Sequence, residues 1–333
     1  MAWERACDIV LMSVLKVQPG ERLVIVADEG SQSVAEALHA RAHKIGLDPA
    51  LCLMPMRAKP SEEPPAPIAA AMKAADCAIL AVTRSITHSR ARHEAMQAGV
   101  RIASMPGACP QMFEDGSLEA DVNMIVPLGL WIADQITHSN EVRVTSSLGT
   151  NLSLSVAGRT GGGSFGIADK PGGFTVTPCL EATVGPVEWS AEGIVIVDGV
   201  VVPGGLVREP FEVTIQKGTV THISGGVEAE QLRNLLAGYG DPNVYHVVEL
   251  GIGLNPRAEI GRDISSEDEG VYGTIHFGLG EGRSFGSSIT ASTHTDLVLL
   301  EGRVTLDGKV LLDNRKFTYV VGHSDAVRPA TNL

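Results

Sequence analysis

The chain has 333 residues, 44% of them hydrophobic and 20% charged, with a formal net charge of −13. That length is ample for two domains, and the acidic balance without a Lys/Arg cluster argues against nucleic acid or an anionic membrane surface as partner. No apolar run reaches the length of a membrane span, and no basic segment followed by an apolar run opens the chain as a signal peptide would. The five cysteines, Cys7, Cys52, Cys77, Cys109 and Cys179, are scattered and form no C-x-x-C. They read as reduced and mostly buried, which implies a cytoplasmic protein.

The first third alternates strand and helix signals. Residues 22–27 (RLVIVA) predict a buried strand. Residues 31–45 carry Val34, Ala35, Leu38, Ala42 and Ile45 at helical spacing behind a Ser31 cap. Further strands are expected at 50–54, 77–82 and 101–104, and helices at 68–75 and 87–98, with a Pro-rich loop at 59–67. This order implies a Rossmann-like parallel sheet covered by helices on both faces. The first strand is followed by Asp28-Glu29-Gly30-Ser31, neither a G-x-G-x-x-G nor a P-loop, so nucleotide binding has no support.

After about residue 138 short strands replace this pattern, at 141–145, 151–156, 193–197, 211–216 and 220–224. Gly158, Gly161-Gly162-Gly163, Pro171-Gly172-Gly173 and Pro203-Gly204-Gly205 punctuate them. One helix is expected at 228–236, and a hairpin at 302–306 and 309–312 around Asp307-Gly308. The expected fold is α/β: a Rossmann-like domain over 1–138 and a β-rich metal-binding domain over 139–333.

Four segments of that second domain place ionisable residues where an apolar one would be ordinary. In Thr293-His294-Thr295-Asp296, strand alternation turns His294 and Asp296 to one face, where imidazole and carboxylate can share a metal ion. Taken alone, H-x-D also suits a polar strand end. Glu249 ends the apolar run in VVELGIG, where a carboxylate needs a partner to offset desolvation, and Gly251 and Gly253 allow a close approach. His276 sits in IHFGLG, a setting that also suits a core histidine. Glu181, five residues before Pro186, also suits a solvated loop.

The order Glu181, Glu249, His276, His294, Asp296 resembles the ligand order of the metallo-aminopeptidases typified by aminopeptidase T and aminopeptidase S. Glu181 with Pro186 is similar to that family's Glu-x-x-x-x-Pro segment, ELGIG to its Leu-Gly-Glu segment, IHFGLG to its His-Leu-Ala-Leu-Gly segment, and His294-Thr295-Asp296 to its His-x-Asp strand. The resemblance implies two divalent ions (Zn, Co, Mn or Mg) held by these five residues, with Glu249 bridging. It also implies a leucyl-type aminopeptidase or amide hydrolase that uses metal-activated water on a short peptide or other small molecule. That family carries a Tyr seven residues after its histidine. Here the position is Arg283, which could take a substrate carboxylate instead. Residues 225–258 (GGVEAEQLRNLLAGYGDPNVYHVVELGIGLNPRA) and Ser190-Ala191-Glu192-Gly193 resemble the 2,5-dihydroxypyridine 5,6-dioxygenases, relatives of the same fold. This second resemblance implies one Fe(II) and ring opening with O2. Those enzymes bind iron through two His and one Asp, with His where this chain has Glu249. The set Glu249, His294, Asp296 is more anionic, so the hydrolase is the leading expectation and the dioxygenase the alternative. Both families are oligomeric, which implies a homodimer or larger assembly.

Overall fold

A computed structural model describes residues 2–262 and 265–319. The parallel sheet expected from the first third is present. Its strand order is Ala50–Met54, Leu23–Asp28, Cys77–Val82, Arg101–Pro106 and then Phe174–Val176, all parallel. The last of these comes from far downstream. Alternate residues of the central strands feed two cores. Leu23, Ile25, Ala27, Ile79 and Ala81 pack with Val34, Ala35, Leu38 and Ala42 of the helix Gln32–Lys44. Val24, Val26, Ala78, Leu80 and Val82 pack with Ile68 and Met72 of Ala66–Ala74 and with Ala91 and Ala95 of Arg90–Gln97. Apolar side chains on both faces of every central strand explain the unbroken hydrophobic runs.

Ser31 does not cap the helix with its side chain, as its spacing had suggested. Its hydroxyl donates instead to the Ala81 carbonyl at 2.7 Å. The Asp28 carboxylate beside it accepts from Thr83 N (2.8 Å), Thr83 Oγ1 (2.6 Å) and Gly30 N (3.1 Å). The turn where a dinucleotide fingerprint would lie is thus fastened by the chain's own groups. Residues 122–137, to which the sequence pattern assigned no element, form the helix Val122–Thr137 with Pro127 inside it.

Two antiparallel sheets follow. One runs Thr219–Ser224, Phe211–Gln216, Glu192–Val197, Asn151–Ser155, Glu141–Thr145, Arg303–Leu306, Lys309–Asp313 and Lys316–Phe317. The hairpin expected at Asp307-Gly308 is part of it, with φ of 46° and 80° at the two turn residues, the left-handed pair that a two-residue hairpin requires. The helix expected at 228–236 spans Val227–Gly238. The other sheet runs Gly205–Leu206, Val200–Val202, His294–Leu299, Ile275–Gly280, Val247–Gly253, Glu181–Val184 and Gly162–Ser164.

The chain packs as two compact units. One comprises Met1–Val122, Gly166–Leu180 and Asn255–Asp268; the other comprises Asn123–Phe165, Glu181–Leu254 and Glu269–Leu333. The domain cut expected at 138/139 falls just after the helix Val122–Thr137, and the expected domain end at 333 lies outside the described residues. All five cysteines are free. Among the described residues no helix is long and apolar enough to cross a membrane.

Candidate metal centre

Four adjacent strands of the second sheet carry the five residues singled out above. Strand alternation puts Leu250, Ile252, Ile275, Phe277, Leu279 and Leu297 on one face, all buried. Glu249, Gly251 and Gly253, then His276, Gly278 and Gly280, then His294 and Asp296, take the other. The register pairs every donor with a glycine. Glu181 lies opposite Gly253, His276 opposite Gly251, Glu249 and Asp296 on either side of Gly278, and His294 opposite Gly280. Directly opposed residues in an antiparallel pair hold their Cβ atoms about 5 Å apart, so side chains at these places would fill the space the donors use. A Cβ on Gly251 would run into the His276 ring, and one on Gly278 would sit 2.6 Å from His294 Nε2 and 2.8 Å from Glu249 Cβ. The glycines of ELGIG and IHFGLG therefore form the cradle of the site.

The donors converge in two sets that share Glu249. His294 Nε2 lies 2.9 Å from Glu249 Oε2 and 3.1 Å from Asp296 Oδ1. His276 Nε2 lies 3.1 Å from Glu181 Oε2 and 3.7 Å from Glu249 Oε1. Glu249, His294 and Asp296 could hold one metal ion, and Glu181, Glu249 and His276 a second. Oxygen and imidazole donors of this kind suit divalent first-row metals.

Electrostatics show how tightly the groups are coupled. Burial alone would depress both histidines, but the neighbouring carboxylates outweigh it. His276 is held well above the usual imidazole range by Glu181 and Glu249, and His294 by Asp296 and Glu249. Glu181 is pushed up by burial, with Glu249 and Asp296 adding to the effect and His276 opposing it. Without a cation the cluster therefore retains protons on both imidazoles at neutral pH. The two rings differ at their far nitrogens. His294 Nδ1 is 2.8 Å from the Glu281 carbonyl oxygen, a contact that makes Nδ1 the donor and leaves the Nε2 lone pair for a ligand. His276 Nδ1 is buried with no hydrogen-bond partner among the described residues.

Arg283, the sixth residue singled out, is not drawn into the cluster by any described contact. Its Nε donates to Glu281 Oε1 at 2.6 Å, and its side chain is more than half exposed.

Sequence reasoning missed three contributors. Glu269 feels Asp296, Glu181, His276 and Glu249 at once, and burial with the three carboxylates pushes it well above the usual range. Glu281 presents its carbonyl to His294, while its carboxylate accepts from Arg283 N and from Ala291 N. Phe285 lies with its ring centroid 5.4 Å from that of His294. The one sequence signal for Glu281 was its place directly after the IHFGLG run. Glu269 and Phe285 carried none.

Residues 3–319 match the family described as NicX, 2,5-dihydroxypyridine 5,6-dioxygenase. A curated 2,5-dihydroxypyridine 5,6-dioxygenase of Pseudomonas putida is 27% identical over 258 residues, 73% of this chain and 72% of that protein. Among solved structures, the 2,5-dihydroxypyridine dioxygenase from Pseudomonas putida KT2440 superposes with a TM-score of 0.83 at 21% identity, covering 96% of this chain and 97% of that one. Wild-type AmpT from Thermus thermophilus superposes at 0.65 and 15% identity, covering 96% and 99%. These findings correct the expectation of an amide or peptide hydrolase, and with it those of an aminopeptidase, metalloprotease and role in proteolysis. The donor types that suggested hydrolysis serve ring-opening iron chemistry as well, and the likeness to AmpT is one of fold. The match over residues 3–319 is decisive, and the chain belongs to the 2,5-dihydroxypyridine 5,6-dioxygenase family.

Proposed function

We propose that this chain is a metal-dependent ring-cleaving dioxygenase, acting in the cytoplasm on a small dihydroxylated pyridine of the kind its family name describes. One Fe(II) would be held by Glu249, His294 and Asp296. The observation that carries this assignment is the difference between the two histidines. A ligating imidazole ordinarily donates its other N–H to a fixed acceptor, and His294 does so to the Glu281 carbonyl whereas His276 Nδ1 has no partner among the described residues. The iron, when bound, supplies the redox chemistry that brings O2 and the ring together.

The chain's own residues do the rest. Glu249, His294 and Asp296 orient the substrate's approach from one side of the sheet. His276, held protonated between Glu181 and Glu249, can donate its Nε2 proton to a substrate oxygen as the ring opens and take it back afterwards, with Glu181 as its partner. Glu181, Glu249 and His276 also form a donor set of their own, so metal analysis matters. One ion per chain supports the acid–base role for Glu181 and His276, and two would assign them as ligands.

The test is anaerobic loading with Fe(II), then 2,5-dihydroxypyridine and O2. The expected result is one O2 consumed per ring opened between C5 and C6, with both oxygen atoms of labelled O2 in the product. Iron-loaded protein that consumes no O2 with this substrate refutes the reading.

A further inference from the structure

The connection from the strand Ile275–Gly280 to the strand His294–Leu299 is held by a carboxylate on each side. On one side the buried Glu281 carboxylate accepts from Arg283 N, Arg283 Nε and Ala291 N. On the other, Glu188 Oε1 accepts from Ser288 N (2.7 Å), Ser288 Oγ (3.1 Å) and Ser287 Oγ (3.3 Å). Arg159 is paired to Glu188 and donates to the Gly286 carbonyl at 2.6 Å. Although burial opposes ionisation, these donors hold the Glu188 carboxyl down at about 2. Gly282 N and Ile289 O close the loop on itself at 3.2 Å. The loop also presses against Gly185 so closely that a Cβ there would collide with the Phe285 backbone.

What this framework positions is one ring. Phe285 is half-buried, and its ring lies 5.4 Å from the His294 imidazole at an interplanar angle of 33°. That puts a rigidly held aromatic face beside a ligand of the proposed metal centre. Aromatic rings attract other planar rings through offset stacking or edge contacts beyond what burial alone supplies.

We propose that Phe285 is the residue that recognises the aromatic ring of the substrate, stacking against it while the metal centre takes its polar groups. This inference rests on the dioxygenase reading for the identity of the ring, but its test is a binding measurement that needs no turnover.

Iron-loaded wild type, Phe285→Leu, Phe285→Ala and Phe285→Tyr would be compared without O2. The ligands are 2,5-dihydroxypyridine and azide, a small non-aromatic metal ligand. Phe285→Leu and Phe285→Ala should weaken pyridine binding by roughly 2- to 10-fold, the range of one aromatic pair. Iron content and azide affinity should be unchanged, and Phe285→Tyr should restore ring binding. With O2 present, KM should rise while kcat stays within about twofold, as expected when uniform binding is removed. If Phe285→Leu binds the pyridine as tightly as wild type, or if both substitutions weaken azide and pyridine alike, the proposal is overturned. It is overturned as well if wild type binds no pyridine ring. Wild type that binds the ring yet consumes no O2 would refute the dioxygenase reading alone.

Discussion

Substituting Gly278 by Ala should dismantle the metal centre while leaving the sheet folded. Gly278 faces Glu249 on one neighbouring strand and Asp296 on the other. An added Cβ would stand 2.6 Å from both Cε1 and Nε2 of His294 and 2.8 Å from Glu249 Cβ. Ordinary carbon contacts lie at about 3.5–4.0 Å, so both neighbours must retreat by about 1 Å. Metal–ligand distances in real sites fall within about 0.2 Å of their standard values. Losing an outer partner of a ligand already costs about 10- to 100-fold in affinity, so displacing two ligands should cost at least about 100-fold. Folding should suffer less. Overpacking costs about 1–3 kcal/mol, partly offset by about 0.4–1 kcal/mol from the stiffer unfolded chain, for a net of about 1–2 kcal/mol. The assay is iron content after loading and dialysis, with thermal melting of the metal-free protein alongside. Gly238→Ala serves as control, because a Cβ at that helix end meets nothing within 4 Å and should leave iron content unchanged. A Gly278→Ala protein that binds iron within about twofold of wild type would refute the cradle argument.

Removing a donor should be as severe: Asp296→Asn and His294→Gln should each abolish stable iron binding, measured by elemental analysis, whereas Glu181→Gln should retain the iron and lose turnover if the single-ion assignment holds. Because Asp296 and Glu249 hold His294 well above the usual imidazole range, its proton is present at neutral pH in the metal-free protein and must leave when a metal binds. Metal affinity should therefore climb as pH rises toward that raised value and fall in acid, and affinity flat between pH 6 and 8 would contradict this. Glu267, fully buried, is pushed up to about 7 by burial, with Asp115 adding to the shift. Its folded value lies above its unfolded one, so its contribution, on the order of 3 kcal/mol, is fully present below about pH 4.5 and lost as pH rises through about 7. Melting curves should show wild type losing stability relative to Glu267→Gln between pH 5 and 8, and parallel curves would exclude it. We also expect a homodimer or larger assembly, checked by light scattering at micromolar concentration, where a single-chain mass would contradict it.

The residues alone singled out Glu249, because a carboxylate closing an apolar run needs a partner, and His294 with Asp296, which strand alternation sets on one face; Glu181 and His276 joined them as candidate donors only through the resemblance to the metallo-aminopeptidases. The glycines beside them were visible too, in ELGIG and IHFGLG. Their purpose was not, since it lies in cross-strand register: Gly251 opposite His276 and Gly278 between Glu249 and Asp296. The strand Phe174–Val176, paired to Arg101–Pro106, was hidden for the same reason, three residues being too few to show a period. Glu269, the Glu281 carbonyl and Phe285 reach the site through turns whose direction no spacing encodes. The choice between hydrolysis and ring opening was not legible in donor types, because imidazole and carboxylate serve both chemistries. Local sequence decides which residues can afford to be polar and which face of a strand they take. The long-range pairing of strands decides which of those residues meet, and that pairing depends on free-energy differences summed over the whole chain.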